Sequence, residues 1–218
     1  MGRSHTTYSH RARRNNFWRR TMAGILALIA LGAVSAASAS DRSWTEFLVA
    51  QKAIEPPQGF IGVCDRYAWA CAAKVRASTT VVDDRGIMAL AQRVNRSVNF
   101  RYPQITDQAQ FNREEHWTLP TRRGGDCEDF ALEKKRQLLA AGVPADRLLI
   151  ATAFLRDRTR HAVLVVRTSK GDMVLDNLTN RILPWEKTGL TFLRMQNPNK
   201  PATWDAVFAG GMIPVPRG

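Results

Sequence analysis

Gly124-Gly125-Asp126-Cys127-Glu128-Asp129-Phe130-Ala131-Leu132-Glu133-Lys134 is the stretch on which the reading of this chain turns. The paired glycines mark a break, Asp126 is a candidate N-cap with Asp129 three residues on, and Gly142 and Pro144 are stop signals, so the pattern predicts a helix between them. On a wheel of about 100° per residue, Cys127, Ala131 and Leu138 share one side. Cys127 thus opens a helix and points along its apolar, inward face. First-turn N–H groups and the positive end of the helix dipole favour a thiolate there, and the same N–H groups can face a developing oxyanion.

Beyond Pro144 the period becomes extended. Leu148 to Leu155, His161 to Thr168 and Met173 to Asn177 read as short strands rich in Val, Leu and Ile, and their short connections predict an antiparallel meander. His161 opens the second strand, at the edge of the sheet, where a base can face the helix start. Asp176 is an acidic residue in an apolar strand, costly to bury unless an imidazole partners it. A two-residue turn at Lys170-Gly171 puts Asp176 opposite Val165, too far along for a direct bond to His161. A bulge or a tighter turn near Ser169 closes the gap, and Asn180, opposite His161 in the unmodified register, is the geometric alternative. His116 beside Trp117 is the rival base. Upstream, Ile87, Leu90, Ala91 and Val94 predict a helix over 81–98, and residues 101–125, with Pro103, Pro120, Gly124 and Gly125, predict an irregular connection. The expected fold class is α+β, a nucleophile-bearing helix packed against an antiparallel sheet, with the site at their junction.

Residues 1–39 differ in kind. Arg11, Arg13, Arg14, Arg19 and Arg20 precede an apolar run from Met22 to Val34 and the small-residue stretch Ser35 to Ser40, the anatomy of a secretory signal peptide cleaved after Ala37-Ser38-Ala39. The run is shorter than the ~18–20 residues of a spanning helix, so no permanent membrane anchor is expected. The domains are therefore 1–39, leader, and 40–218, one domain, placed in the periplasm. Six of the 32 basic residues and none of the 19 acidic ones lie in 1–39, so the remainder carries +7. Its basic residues are scattered, with no nucleic-acid motif among them. Beyond the leader stand Cys64, Cys71 and Cys127, and two histidines, His116 and His161. Cys64 and Cys71 read equally as a small-loop disulfide or as two buried residues on a helix; if they pair, Cys127 is the odd thiol of an oxidising compartment.

Asp126, Glu128 and Asp129 surround the thiol and, bare, raise its pKa. A hard cation resolves that conflict, Ca²⁺ being the natural choice outside the cytoplasm; an acidic first turn complementing the helix dipole is the simpler alternative.

The run Gly125 to Lys134, with His161-Ala162-Val163-Leu164 and Val174-Leu175-Asp176-Asn177-Leu178, resembles the bacterial transglutaminase-like cysteine proteinases. Cys64 and Cys71 with intervening Arg66 look like that family's paired cysteines, and Asn95, Tyr102, Asp107, Trp117 and Pro120 like its lead-in to the nucleophile. The resemblance implies a papain/transglutaminase-like fold and a Cys, His, Asp triad, here Cys127, His161 and Asp176. It further implies calcium held by Asp126, Glu128 and Asp129, a protein substrate such as a large surface adhesin whose cleavage releases cells from biofilm, and an inner-membrane regulatory receptor. A peptidoglycan amidase or endopeptidase, a calcium-responsive binding module and acyl transfer to an amine are the competing readings from the residues themselves.

Overall fold

The three strands expected after Pro144 are the middle of a larger sheet. The computed structural model describes residues 46–73 and 83–212; the leader read over 1–39, with its cleavage site, lies outside the described residues. Strands β1 (Lys52–Ile54), β2 (Leu148–Phe154), β3 (Arg160–Thr168), β4 (Gly171–Leu175), β5 (Leu183–Pro184), β6 (Thr191–Gln196) and β7 (Trp204–Ala209) run in the order β1-β7-β6-β2-β3-β4-β5. Every neighbouring pair is antiparallel. Ala162, Leu164 and Val166 of β3 pack into the helical core, while Val163 and Val165 join Trp185, Phe192 and Met195 on the opposite face. A sheet covered on both faces yields the unbroken apolar run that betrays β3 in the sequence. β6 and β7 gave no such run because they bury polar residues, Thr191, Gln196 and Asp205.

Among the described residues four α-helices flank the sheet: α1 (Val63–Arg66), α2 (Asp84–Arg101), α3 (Asp107–Phe111) and α4 (Cys127–Ala140). The Asp83 carboxylate accepts the Gly86 N–H at 2.8 Å and starts α2, whose Ile87, Ala91, Val94 and Val98 form the buried stripe. The connection expected to be irregular contains α3, capped by the Thr106 hydroxyl, which accepts from Ala109 N at 3.3 Å. Bridges Gln104↔Gly125 and Thr121↔Gly124 tie that connection to the entry of α4.

α4 departs from the simple amphipathic expectation. It packs against α2, β2, β3 and the turn over 68–71, and even Glu128, Asp129, Glu133, Lys134 and Lys135 are buried. The Lys135 ammonium donates to Ala70 O at 2.9 Å and Gln196 Oε1 at 2.7 Å. Cys64 and Cys71 form a disulfide with Cα atoms 5.5 Å apart, which settles the two readings of that pair. Within its loop Arg66 donates to Trp117 O at 2.8 Å and the Tyr67 hydroxyl pairs with Thr118 Oγ1 at 2.9 Å, fastening the segment that leads to α4. No helix among the described residues is long and apolar enough to cross a membrane.

Candidate active site

Cys127 is the first residue of α4 and its thiol is free and half-buried. The glycines before it are required by space. Gly124 has φ 120°, and a Cβ there would lie 2.0 Å from Pro103 O; at Gly125 it would lie 2.6 Å from Asp129 Oδ2. Asp126 stands at the N-cap position without capping the helix through its side chain. Its Oδ2 accepts the Asp107 N–H at 3.1 Å instead.

The thiol donates to Glu128 Oε2 at 3.2 Å. Burial pushes the Cys127 pKa well up, the charge of Glu128 and this hydrogen bond push it further, and only the Ala162 N–H works in the opposite direction. The carboxylates around the thiol thus oppose its ionisation, as their sequence positions suggest.

His161, the second residue of β3, is paired with Ala153 of β2 and is 5% exposed. Its Nε2 lies 2.9 Å from Asp176 Oδ1. The bond is possible because the β3–β4 turn falls on Ser169-Lys170, one residue earlier than Lys170-Gly171: Thr168 pairs with Gly171, and the register runs on to Leu164↔Leu175. This shift by two residues brings Asp176 toward His161, and the chain leaves the strand at that point. Asp176 Oδ1 also accepts the Leu178 N–H at 2.9 Å. Burial would raise the Asp176 pKa, but the hydrogen bond and charge of His161, the Leu178 N–H and the charge of Lys134 outweigh it and hold the carboxyl below its usual value.

Asn180, the geometric alternative to Asp176, faces α2, where its Oδ1 accepts from Asn99 Nδ2 at 3.1 Å. The rival base His116 packs edge-on against Phe111, with ring centroids 4.8 Å apart, and its backbone N–H donates to Asp107 Oδ2. A cleft of about 520 Å³ is lined by Cys127, Glu128, His161, Ala162, Ala153 and Trp117 among others. A free thiol, an imidazole and a wall of mixed polarity therefore share one opening, an arrangement that acyl chemistry can use.

The acidic residues divide. Asp107, Asp126 and Glu128 each place a carboxylate oxygen within 4.8 Å of the others, a group that could hold a metal ion. Asp129, the third acid expected from the sequence, is not in it: Oδ1 accepts the Thr118 N–H at 2.8 Å and Oδ2 lies beside Gly125. Asp126 Oδ1 and Asp129 Oδ2 are buried with no hydrogen-bond partner among the described residues. Burial raises the pKa of Asp126, with the charges of Asp107 and Glu115 adding to it, and that of Glu128, with Asp126 and Asp129 adding to it, and burial first pushes Asp129 to about 8. Asp107 comes from nineteen residues upstream of Asp126, so only its place in the lead-in motif pointed to it. An oxygen-only donor set with an unpaired buried oxygen suits a hard cation.

A family model described as bacterial transglutaminase-like cysteine proteinase matches residues 50–211. Among curated proteins none matches. Similar solved structures include calcium-bound Legionella pneumophila LapG, 26% identical with a TM-score of 0.48, covering 62% of this chain and 77% of that one. Legionella pneumophila LapG without a stated ligand is 30% identical with a TM-score of 0.46, covering 53% of this chain and 68% of that one. The EGTA-treated form is also 30% identical, with a TM-score of 0.46 and coverage of 53% and 66%.

Proposed function

Since the chain belongs to the bacterial transglutaminase-like cysteine proteinases, we propose that Cys127, His161 and Asp176 are the nucleophile, base and orienting carboxylate of its peptidase reaction. The observation that carries this reading is the His161 Nε2 to Asp176 Oδ1 contact of 2.9 Å beside a free thiol in the same cleft. With Nε2 committed to Asp176, Nδ1 is the ring nitrogen left to exchange a proton with Cys127. To pass its proton to that nitrogen the thiol must turn away from Glu128 Oε2. The thiolate attacks the scissile carbonyl carbon, a C–S bond forms, and the carbonyl electron pair moves to oxygen beside the backbone N–H of Cys127. The oxyanion collapses, the C–N bond breaks, and the imidazolium gives its proton to the departing amine. Water, deprotonated by His161, then attacks the thioester and the thiolate leaves.

Asp107, Asp126 and Glu128 are the residues that would hold Ca²⁺, with Asp129 behind them. When bound, the cation supplies positive charge that offsets the carboxylates opposing ionisation of the thiol. The leader read over residues 1–39 places the reaction in the periplasm, and the substrate is a protein, a large surface adhesin being the class favoured by the family resemblance.

The test is to incubate the purified chain, and its Cys127→Ala variant, with surface proteins stripped from bacterial cells, in calcium or in EGTA. Discrete fragments of a large surface protein are expected from the native chain in calcium alone. Equal fragments from both chains would overturn the site, and fragments unaffected by EGTA would overturn the calcium requirement.

A further inference from the structure

Asp176 lies one residue beyond the end of β4 at Leu175, so the sheet ladder does not hold its backbone. Yet its carboxylate must stay at hydrogen-bond distance from His161, and small displacements there cost reaction rate steeply. The anchorage comes from α2. Asn99 Nδ2 donates to Asp176 O at 2.9 Å and to Thr179 O at 3.1 Å, and Asn95 Nδ2, one turn earlier, donates to Thr179 O at 3.1 Å. Asn95 is fully buried. The Oδ1 atoms of Asn95 and Asn99 are both buried without a partner among the described residues, so the fold tolerates two unpaired carbonyls to aim both amide donors at this loop. One turn before Asn95, Gln92 Nε2 donates to Asn180 O at 3.0 Å, four residues past Asp176.

We infer that Asn99 is a positioning residue of the peptidase reaction, fixing the Asp176 backbone so that the carboxylate stays on His161 Nε2, with Asn95 as its second anchor at Thr179. The inference rests on the triad reading above. A helix with no residue among those lining the cleft thereby sets the alignment of the site. Asn is suited to this because its amide donates to the main-chain carbonyls, and to Asn180 Oδ1, without adding charge beside Asp176. Aspartate in its place has the same shape, no donor, and a charge facing carbonyl oxygens.

Two readouts separate positioning from general stability: the rate at which iodoacetamide alkylates Cys127, and the downfield proton resonance of His161 Nε2–H with its exchange against water. Both are measured on the full chain in calcium buffer for Asn99→Ala, Asn99→Asp, Gln92→Ala and, as benchmark, Asp176→Ala. Alkylation is expected to fall ~10-fold in Asn99→Ala, the equivalent of one hydrogen bond, and further in Asn99→Asp. The resonance should broaden in the first and vanish in the second, while Gln92→Ala leaves both readouts unchanged. If Asp176→Ala slows alkylation and removes the resonance but neither Asn99 variant changes them, the positioning role is wrong. If Gln92→Ala reproduces the Asn99 losses, the loop needs only general anchorage and the assignment to Asn99 falls. If Asp176→Ala itself changes nothing, it is the triad reading that fails.

Discussion

The first and third turns of α4 bury charge in opposite ways. At the first, Asp126 and Glu128 crowd against Asp107 within 4.8 Å, and Asp126 Oδ1 and Asp129 Oδ2 have no partner among the described residues. At the third, Lys135 is 0% exposed, yet its ammonium reaches Ala70 O and Gln196 Oε1. Gln196 in turn accepts from Ile150 N and donates to Ala70 O and Pro201 O. Burying a charge is costly, and at Lys135 hydrogen bonds offset part of that cost while joining the disulfide loop, the helix and β6. At the first turn the Asp107 N–H, the Thr118 N–H and the Cys127 thiol each satisfy one carboxylate oxygen, and two buried oxygens are left without a partner among the described residues. A satisfied buried charge is scaffold; an unsatisfied one beside a thiol calls for a ligand or a reaction to account for it.

The comparison is broken most severely at the thiol end. Cys127→Ala, His161→Ala and Asp176→Ala should each lower cleavage by ~10³-fold or more, measured on the fragmented surface protein, with the thermal midpoint little changed. Lys135→Met should leave cleavage within a few-fold.

Next in size is the cation. Calcium at about a hundredfold excess over its Kd should add ~2.7 kcal/mol and raise the thermal midpoint by ~5 °C or more over EGTA. Asp126→Asn should abolish the response, because it removes one ligand and the repulsion that the ion relieves. A calcium response unchanged by Asp126→Asn would move the ion elsewhere.

The disulfide ranks third. Cys64→Ser with Cys71→Ser should cost about 2 kcal/mol in chemical denaturation, by freeing the small loop in the unfolded chain.

Taken per pH unit, the smallest effect is the one that distinguishes Lys135. Burial lowers its pKa from 10.5 to about 7, so between those values the unfolded chain binds a proton that the folded chain does not. Stability then rises with pH across that window and is constant in this respect below it, where both states are protonated. Relative to Lys135→Met, the native chain should therefore gain stability from pH 7 toward 10.5, at up to ~1.4 kcal/mol per pH unit. A flat difference would mean that Lys135 keeps its proton throughout.

What was legible in the sequence was local. Gly124-Gly125, Gly142 and Pro144 bracket α4, and the apolar run after His161 announces β3, so helix, thiol and imidazole could be placed from neighbours alone. The turn to β4 was misplaced because Gly171 looks like a turn residue. Its φ of 126° instead serves close approach: a Cβ there would lie 2.5 Å from Glu46 O, and the turn itself falls on Ser169 and Lys170. Pairing Asp107 with Asp126 depends on bridges between distant segments, which no periodicity records. Lys134 and Lys135 escape for another reason, since a pattern reading counts lysine as solvent-facing and here both are buried by a helix enclosed on several sides. Composition left the disulfide undecided, because a paired and a merely buried cysteine look alike at that spacing.

The central claim is that Cys127 is an activated nucleophile paired with His161. It is tested most directly by the rate of Cys127 alkylation by iodoacetamide at neutral pH in calcium, native chain against His161→Ala, with Cys127→Ala as the blank while Cys64 and Cys71 remain bonded. The account predicts that the native thiol reacts at least ~10²-fold faster than the thiol of His161→Ala. Equal rates in the two chains would contradict it.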